Sequence, residues 1–401
     1  MRLLVVMADC PFPLRAGSAI ICLNNIRELS GRHIISLVCR SKDCVEGKLA
    51  LAGFASEIVC VNTKQVSSVK KIFFYAFSLI LGIPVAVIMN RSPAMRRQVK
   101  AMTESGNFDA ILLYDLSAIQ YCPPSTYNKI VINIEDPQSI RLERMRKLSI
   151  WSLREKIKLF LHEKMFRRYE RNVLPKMAKV LLLSESDVLD LRSKEGYGNV
   201  GYAPYGVGQN AQGEILTLEA RTSGMIVFSG NMFHPPNVDG ILFFLEKIYS
   251  FVLLGYPLAT LWIVGATPDI RIHRAAAKFR SRVVITGKVE DISEYLRRAV
   301  VSICPVRLKI GVQTKILEAL SWGTPVVTTS EGNSGIGGIS GRELWVEDEP
   351  NDFANRVVAL LHGDDWKRFS EGGRIIAEHF SWERSAAVVE KHLEYIHKEC
   401  S

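Results

Sequence analysis

Apolar residues in this 401-residue chain fall in short runs, each followed by a stretch of helical length. In the first half the runs lie at 2–8, 33–39, 57–62, 109–115, 129–135 and 179–184. In the second half they lie at 225–230, 259–265, 283–286, 299–305, 325–330 and 343–347. Runs that are apolar throughout suit strands buried on both faces, the condition of a parallel sheet covered by helices. Two successive series of such βα units predict an α/β protein with two doubly wound parallel sheets. Ligands of open α/β sheets bind outside the carboxyl ends of the strands, so two facing sheets would hold one in a cleft between them. The predicted boundaries are 1–205 for the first domain and 225–375 for the second. A linker over 206–224 joins them, with Gly206, Gly208, Gly213 and Gly224 among polar residues, and a terminal helix over 376–401 can pack back on the first domain.

One apolar segment is longer. Ile72 to Met89 reaches spanning length, but Gly82 and Pro84 predict a helix followed by a shorter piece, buried or dipping into a membrane rather than crossing one. Met1 to Ala8 is too short for a secretion signal and reads as the first core strand.

Composition adds a partner class. The chain has 51 Lys and Arg against 41 Asp and Glu, a net charge of +10, which favours an anionic partner. No zinc-ligand spacing and no basic region joined to heptads is present, so a nucleic-acid partner is not expected. Between Arg141 and Arg171 there are 11 Lys and Arg against 4 Glu, a surplus of 7. Trp151, Leu153, Ile157, Phe160 and Leu161 are interleaved with them, a basic amphipathic pattern that suits an anionic membrane surface or, equally, an ordinary solvated helix. The expected location is cytoplasmic, with the option of peripheral attachment to the inner face of the plasma membrane. Eight cysteines lie scattered without a CxxC and read as small buried hydrophobes of a reducing compartment.

The most specific chemistry lies between Lys309 and Ser321. The apolar run Val300 to Pro305 reads as a buried strand; Gly311 opens a loop; Ile316, Leu317 and Leu320 give one helical face, and Gly323 and Pro325 stop the helix. A strand, a glycine loop and a helix N-terminus direct free amides and a positive dipole end at one spot, which suits an anion. Lys315 and Glu318 share a face of the first turn, where a cation can neutralise a diphosphate and a carboxylate can accept from vicinal ribose hydroxyls. A plain surface ion pair is the alternative. The first βα turn, Asp9 to Ser18, is a second anion-cradling candidate, or else a proline-stiffened loop capped by Ser18.

With these residues in view, the chain resembles a bacterial family 4 glycosyltransferase of the polysaccharide-biosynthesis type. The resemblance runs through Cys10-Pro11-Phe12-Pro13 with Gly17, Glu135-Asp136 with Ser139, Tyr169-Glu170, Ser184 and Asp187. It continues through Ser229-Gly230-Asn231-Met232 with Pro236-Asn237-Val238-Asp239, Thr286-Gly287-Lys288-Val289 with Asp291, and Pro305-Val306-Arg307. It ends with Lys315 and Glu318-Ala319, Gly323-Thr324-Pro325-Val326-Val327 and Phe380-Ser381-Trp382. It implies the GT-B architecture, two Rossmann-like domains facing across a cleft, and a retaining transfer from a nucleotide-diphosphate sugar with no metal or other cofactor. The acceptor would be a glycan, a lipid-linked glycan or a small molecule.

The resemblance also implies roles. Glu318 would hold the ribose, while Arg307, Lys315, Lys309 and the helix N-terminus at Gly311 and Thr314 would face the diphosphate. Gly287 and Lys288 would border the base, Gly230 and Asn231 would line the donor site, and Gly17 and Ser18 would approach it from the first domain. Asp136 would lie between donor and acceptor. Catalysis would rest on Asp136, Lys315 and Glu318. The pattern departs from the family at Ile310, where many relatives carry a second glutamate, and at Asn231 and Asn237, where basic residues are usual. A nucleotide-sugar epimerase on the same fold, or a binding protein that has lost catalysis, are the competing readings.

Overall fold

The computed structural model describes all residues except 13–16, 42–48, 63–67, 107, 209–214, 309–310 and 401. Two compact units emerge: one of residues 1–143, 157–206 and 382–401, the other of residues 144–156 and 207–381.

The first unit is built on a seven-stranded sheet. Its strands are β1 (Arg2–Met7), β2 (Ile34–Ser41), β3 (Glu57–Asn62), β4 (Ala110–Leu113), β5 (Ile130–Ile134), β6 (Lys179–Leu182) and β7 (Val200–Tyr202). They run in the order β3-β2-β1-β4-β5-β6-β7, and every pairing is parallel. Central strands are buried along their length because helices cover both faces, which accounts for the unbroken apolar runs in the sequence. β7 carries a glycine and only three residues, too few to stand out as a pattern.

The second unit holds a six-stranded parallel sheet of β8 (Met225–Ser229), β9 (Thr260–Val264), β10 (Val283–Gly287), β11 (Val301–Cys304), β12 (Val326–Thr328) and β13 (Trp345–Val346). Its order is β10-β9-β8-β11-β12-β13. The chain therefore winds outward from β8 to β10, returns to β11 and winds the other way. The winding reverses between β8 and β11, and the carboxyl ends of those two strands flank a natural crevice.

Gly82 and Pro84 break the long apolar segment as its composition predicts, into the helices Ser68–Leu81 and Val85–Met89. Among the described residues no helix is long and apolar enough to cross a membrane. The basic stretch 141–171 departs from the single helix expected of it. It forms two, Gln138–Met145 and Leu153–Val173, and the turn between them clusters with the second unit. Trp151 donates its indole N–H to the Met145 carbonyl (2.9 Å), and Leu148 is buried against Leu308, so apolar burial overrides helix continuity there. The terminal helix Trp382–Cys400 belongs to the first unit, where Glu390 accepts from the His33 ring (2.7 Å) and pairs with Arg32 (2.9 Å).

Part of the linker region is core. Arg221 is buried and donates to the carbonyls of Leu216, Leu296, Ala299, Trp322 and Gly323 and to the Thr324 hydroxyl, at 2.7–3.3 Å. Two of those carbonyls close the helix Thr314–Ser321, where a cation also opposes the negative dipole end. Burial, with Arg297 adding to it, lowers the Arg221 guanidinium to about 10.

Candidate nucleotide-sugar site

Three strands of the second sheet end in glycines with positive φ: Gly230 after β8 (143°), Gly265 after β9 (152°) and Gly287 at the end of β10 (69°). Close backbone approach explains the first two. A Cβ at 265 would stand 1.7 Å from the Gly230 carbonyl oxygen, and one at 230 would stand 2.8 Å from the Asn237 amide nitrogen. Gly265 in turn donates its N–H to the Gly287 carbonyl (3.2 Å). The result is a carboxyl edge where backbone segments lie against one another, with the Asn237 and Lys315 side chains packed on Gly230.

Lys315 reaches this edge. It is buried on the first turn of the helix Thr314–Ser321, donates to Asn237 Oδ1, and places its ammonium 5.0 Å from the Phe228 ring centre. Asn237 is itself fixed by donating to the Asn231 carbonyl (2.9 Å). Asn231 organises the loop: its side-chain oxygen accepts from the Phe233 amide (2.9 Å) and the Thr267 hydroxyl (3.3 Å). Burial lowers the Lys315 ammonium from its usual range against the opposing pull of Cys304 and Glu318. Glu318, three residues on, is pushed up to about 7 by burial, with Lys315 acting against the shift. A cation and a carboxylate held in this way are costly in the absence of a partner and favourable once a ligand supplies counter-charge and hydroxyls.

The same helix begins without a side-chain cap, since Gln313 provides no capping bond. Gly311 (φ 49°) turns the loop so tightly against a neighbouring loop that a Cβ at Gly335 would lie 2.5 Å from its carbonyl oxygen. The Ser229 hydroxyl, buried at the last residue of β8, has no partner among the described residues.

The remaining predicted residues divide by unit. Arg307 forms a bidentate pair with the buried Asp239 (2.8 and 3.0 Å) over the Phe243 ring, so its guanidinium is already engaged. Lys288 is exposed beside Gly287. Thr314 opens the helix, and Lys309, like Ile310, lies outside the described residues. Gly17, Ser18 and Asp136 belong to the first unit. Gly17 starts the helix Gly17–Ser30 so close to Glu135 that a Cβ would meet its carboxylate at 2.5 Å. Asp136 is buried, with Arg141 Nε at 3.9 Å. Beside it Glu170 accepts from the Ser139 amide (3.3 Å) and hydroxyl, and burial raises it to about 7. Among the described residues no group of three or more His, Cys, Asp or Glu could hold a metal ion.

Gly265, Gly335 and Asp239 were not among the residues expected at the site. For Gly265 a signal existed, a glycine directly after a strand in the same place as Gly230 and Gly287. The contact of Gly335 with Gly311 is long-range and left no local trace.

Residues 223–363, the stretch that carries this site, match the family glycosyl transferases group 1. A protein of Klebsiella pneumoniae described as an uncharacterized 44.6 kDa protein in the cps region is 22% identical over 369 residues, covering 89% of this chain and 90% of that protein. Among solved structures, Anabaena HepE in complex with UDP is similar with a TM-score of 0.66, 12% identity, and coverage of 98% and 100% of the two chains. Sucrose-phosphate synthase from Thermosynechococcus elongatus is similar with a TM-score of 0.69 and 15% identity over 99% of each chain. A structure of S. aureus TarM with fondaparinux, alpha-GlcNAc-glycerol and UDP gives 0.65 and 12% over 98% and 100%. The two parallel-sheet units are those of the GT-B fold, and the match of residues 223–363 to glycosyl transferases group 1 supports a nucleotide-sugar-dependent transferase.

Proposed function

We propose that this protein transfers a sugar from a nucleotide-diphosphate donor to a glycan or lipid-linked acceptor, without a metal and with retention of configuration. The observation that carries the reading is the turn at the switch point of the second sheet that holds buried Lys315 and half-buried Glu318. In this reading the donor's diphosphate rests on the uncapped first turn and the Lys315 ammonium, which stabilise the charge that develops as the glycosidic bond breaks. Glu318 accepts from the ribose hydroxyls. The leaving diphosphate takes part in removing the acceptor proton, so no protein nucleophile is required; Asp136 is the candidate for positioning the acceptor hydroxyl. HepE and TarM have been seen with UDP, which makes UDP-sugars the first donors to test.

The acceptor reading draws on a surface of the first unit. Phe73, Phe77 and Ile80 line one stripe of the helix Ser68–Leu81, with Phe73 70% and Ile80 80% exposed. That helix rests on Leu153–Val173, where Ser78 Oγ meets Met165 Sδ at 3.5 Å. Ile157, Phe160 and Leu161 are also exposed there, with Lys158 and Lys164 beside them. Apolar side chains bordered by cations suit an anionic bilayer surface, where a lipid-linked acceptor would be met.

The decisive experiment measures release of nucleotide diphosphate from UDP-, GDP- and dTDP-sugars, with and without acceptor lipid extract. Turnover in the wild type and its loss in Glu318→Gln are expected; wild-type turnover in that variant would remove the site assignment. Co-sedimentation with anionic liposomes at low salt is expected to fall in Phe73→Ser/Ile80→Ser, and equal sedimentation would sink the membrane reading.

A further inference from the structure

At the opposite edge of the first sheet, by the amino ends of β6 and β7, a cavity of about 690 Å³ opens against the terminal helix Trp382–Cys400. Its walls include Lys176, Lys179, Asn199, Lys391, His392 and Tyr395. An adjoining hollow of about 620 Å³ shares Asn128 and Lys176 with it and adds Tyr127, so the two make one groove. Each part is within the roughly 300–1,000 Å³ typical of ligand sites.

The charge of this groove is one-sided. Three lysines and a histidine line it, and the single carboxylate, Glu399, accepts from the Tyr395 hydroxyl. Among the described residues no carboxylate pairs with Lys176, Lys179 or Lys391. The Lys179 stem is held in place, since a Cβ at Gly201 would come within 2.9 Å of its Cε. Asn199 donates to the carbonyls of Leu174 (2.9 Å) and Met177 (2.7 Å), which leaves its buried Oδ1 without a partner. Burial and the charges of Lys179 and Lys391 hold the His392 imidazole below its ordinary value. Burial and the Arg192 charge likewise lower Lys179, so positive charge is disfavoured in the groove and a bound anion would relieve it. Tyrosine rings at two points along the groove offer faces for sugar rings, and the orphan amide oxygen offers an acceptor for a hydroxyl.

We propose that this groove is a non-catalytic subsite for an oligosaccharide bearing carboxylate or phosphate groups. That the ligand is a glycan rests on the transferase reading; that it is anionic rests on the groove alone.

The test titrates the full-length chain by calorimetry with a heparin-derived hexasaccharide, with maltohexaose and with inorganic phosphate. The hexasaccharide should bind saturably, more weakly at high salt, and at least about tenfold more weakly to Lys179→Met/Lys391→Glu. Lys391→Glu alone, on an exposed helix position, should weaken it by roughly threefold and guards against a folding defect in the double variant. Donor hydrolysis should be unchanged in both. Equal binding by wild type and the double variant, or equal binding of maltohexaose, would overturn the subsite. So would phosphate binding as tightly as the hexasaccharide, because the rings would then contribute nothing. Absence of donor hydrolysis with hexasaccharide binding intact would instead remove the transferase reading and leave the anion site in place.

Discussion

The two sheets end at their carboxyl edges in opposite ways. In the first, charged groups complete the fold: buried Asp115, raised to about 6 by burial, accepts from the amides of Ala8 (2.8 Å) and Ala118 (2.9 Å). Arg40 is held by the Ala8 carbonyl, Asp9 (2.8 Å) and Asn90 (2.6 Å), and Glu170 serves the helix start at Ser139. In the second, three glycines bring the strand ends close together, and buried Lys315 and half-buried Glu318 have fewer protein partners than their charge can use. The difference teaches that a polar group matters for binding by what remains unsatisfied around it, not by its presence.

The largest effect should come from the support beneath the second site. Arg221→Met leaves the Leu216, Ala299 and Trp322 carbonyls without a donor, while those of Leu296 and Gly323 keep the Thr324 and Ser370 hydroxyls, and it should cost roughly 3–5 kcal/mol of stability, read as a fall in the urea midpoint of the second unit. A loss under about 1 kcal/mol would mean that the carbonyls find other donors.

Next comes Lys315→Ala, which should lower donor turnover by about 100-fold or more while leaving the fold intact by circular dichroism. Full activity would place the diphosphate elsewhere.

A smaller effect should appear with pH. If the ribose is held by ionised Glu318, which titrates at about 7, donor affinity should fall about tenfold between pH 8 and pH 6, and the fall should vanish in Glu318→Gln. Stability should move the other way. Because the folded state raises this carboxyl above its ordinary value, stability present below about pH 4.5 is lost as pH rises through about 7. Glu318→Gln should therefore melt higher than wild type at pH 8. A lower melting temperature would mean that the carboxylate is a structural group.

Smallest is the control in the first sheet. Ser139→Ala removes one hydroxyl from Glu170 and should cost about 1 kcal/mol without changing donor affinity. A large loss of affinity would erase the contrast between the two edges.

Much of this architecture was readable along the chain. Twelve of the strands coincide with apolar runs, and Gly82 and Pro84 divide the long apolar segment where their backbone chemistry requires. The Lys315 turn was also readable, because strand, glycine loop and helix stop follow one another within about two dozen residues. What escaped was long-range. Arg221 sits in a glycine-rich, polar stretch that reads as linker, yet all its side-chain partners but the Leu216 carbonyl lie 75 or more residues ahead. The pairing of Arg307 with Asp239, 68 residues away, and the contact of Gly335 with Gly311 depend on how strands are ordered, not on neighbours in sequence.

By itself, then, the sequence determined twelve of the strands, their parallel kind and the position of the glycine turn before the helix Thr314–Ser321, since burial on both faces and backbone restriction at glycine and proline act over a few residues. The tertiary structure alone decided that Lys315 is buried against Asn237, that Arg307 is already paired, that the turn at 144–156 clusters with the second unit, and that four basic side chains meet in one groove. Those outcomes depend on which distant groups share a low-dielectric space, and no local pattern encodes that.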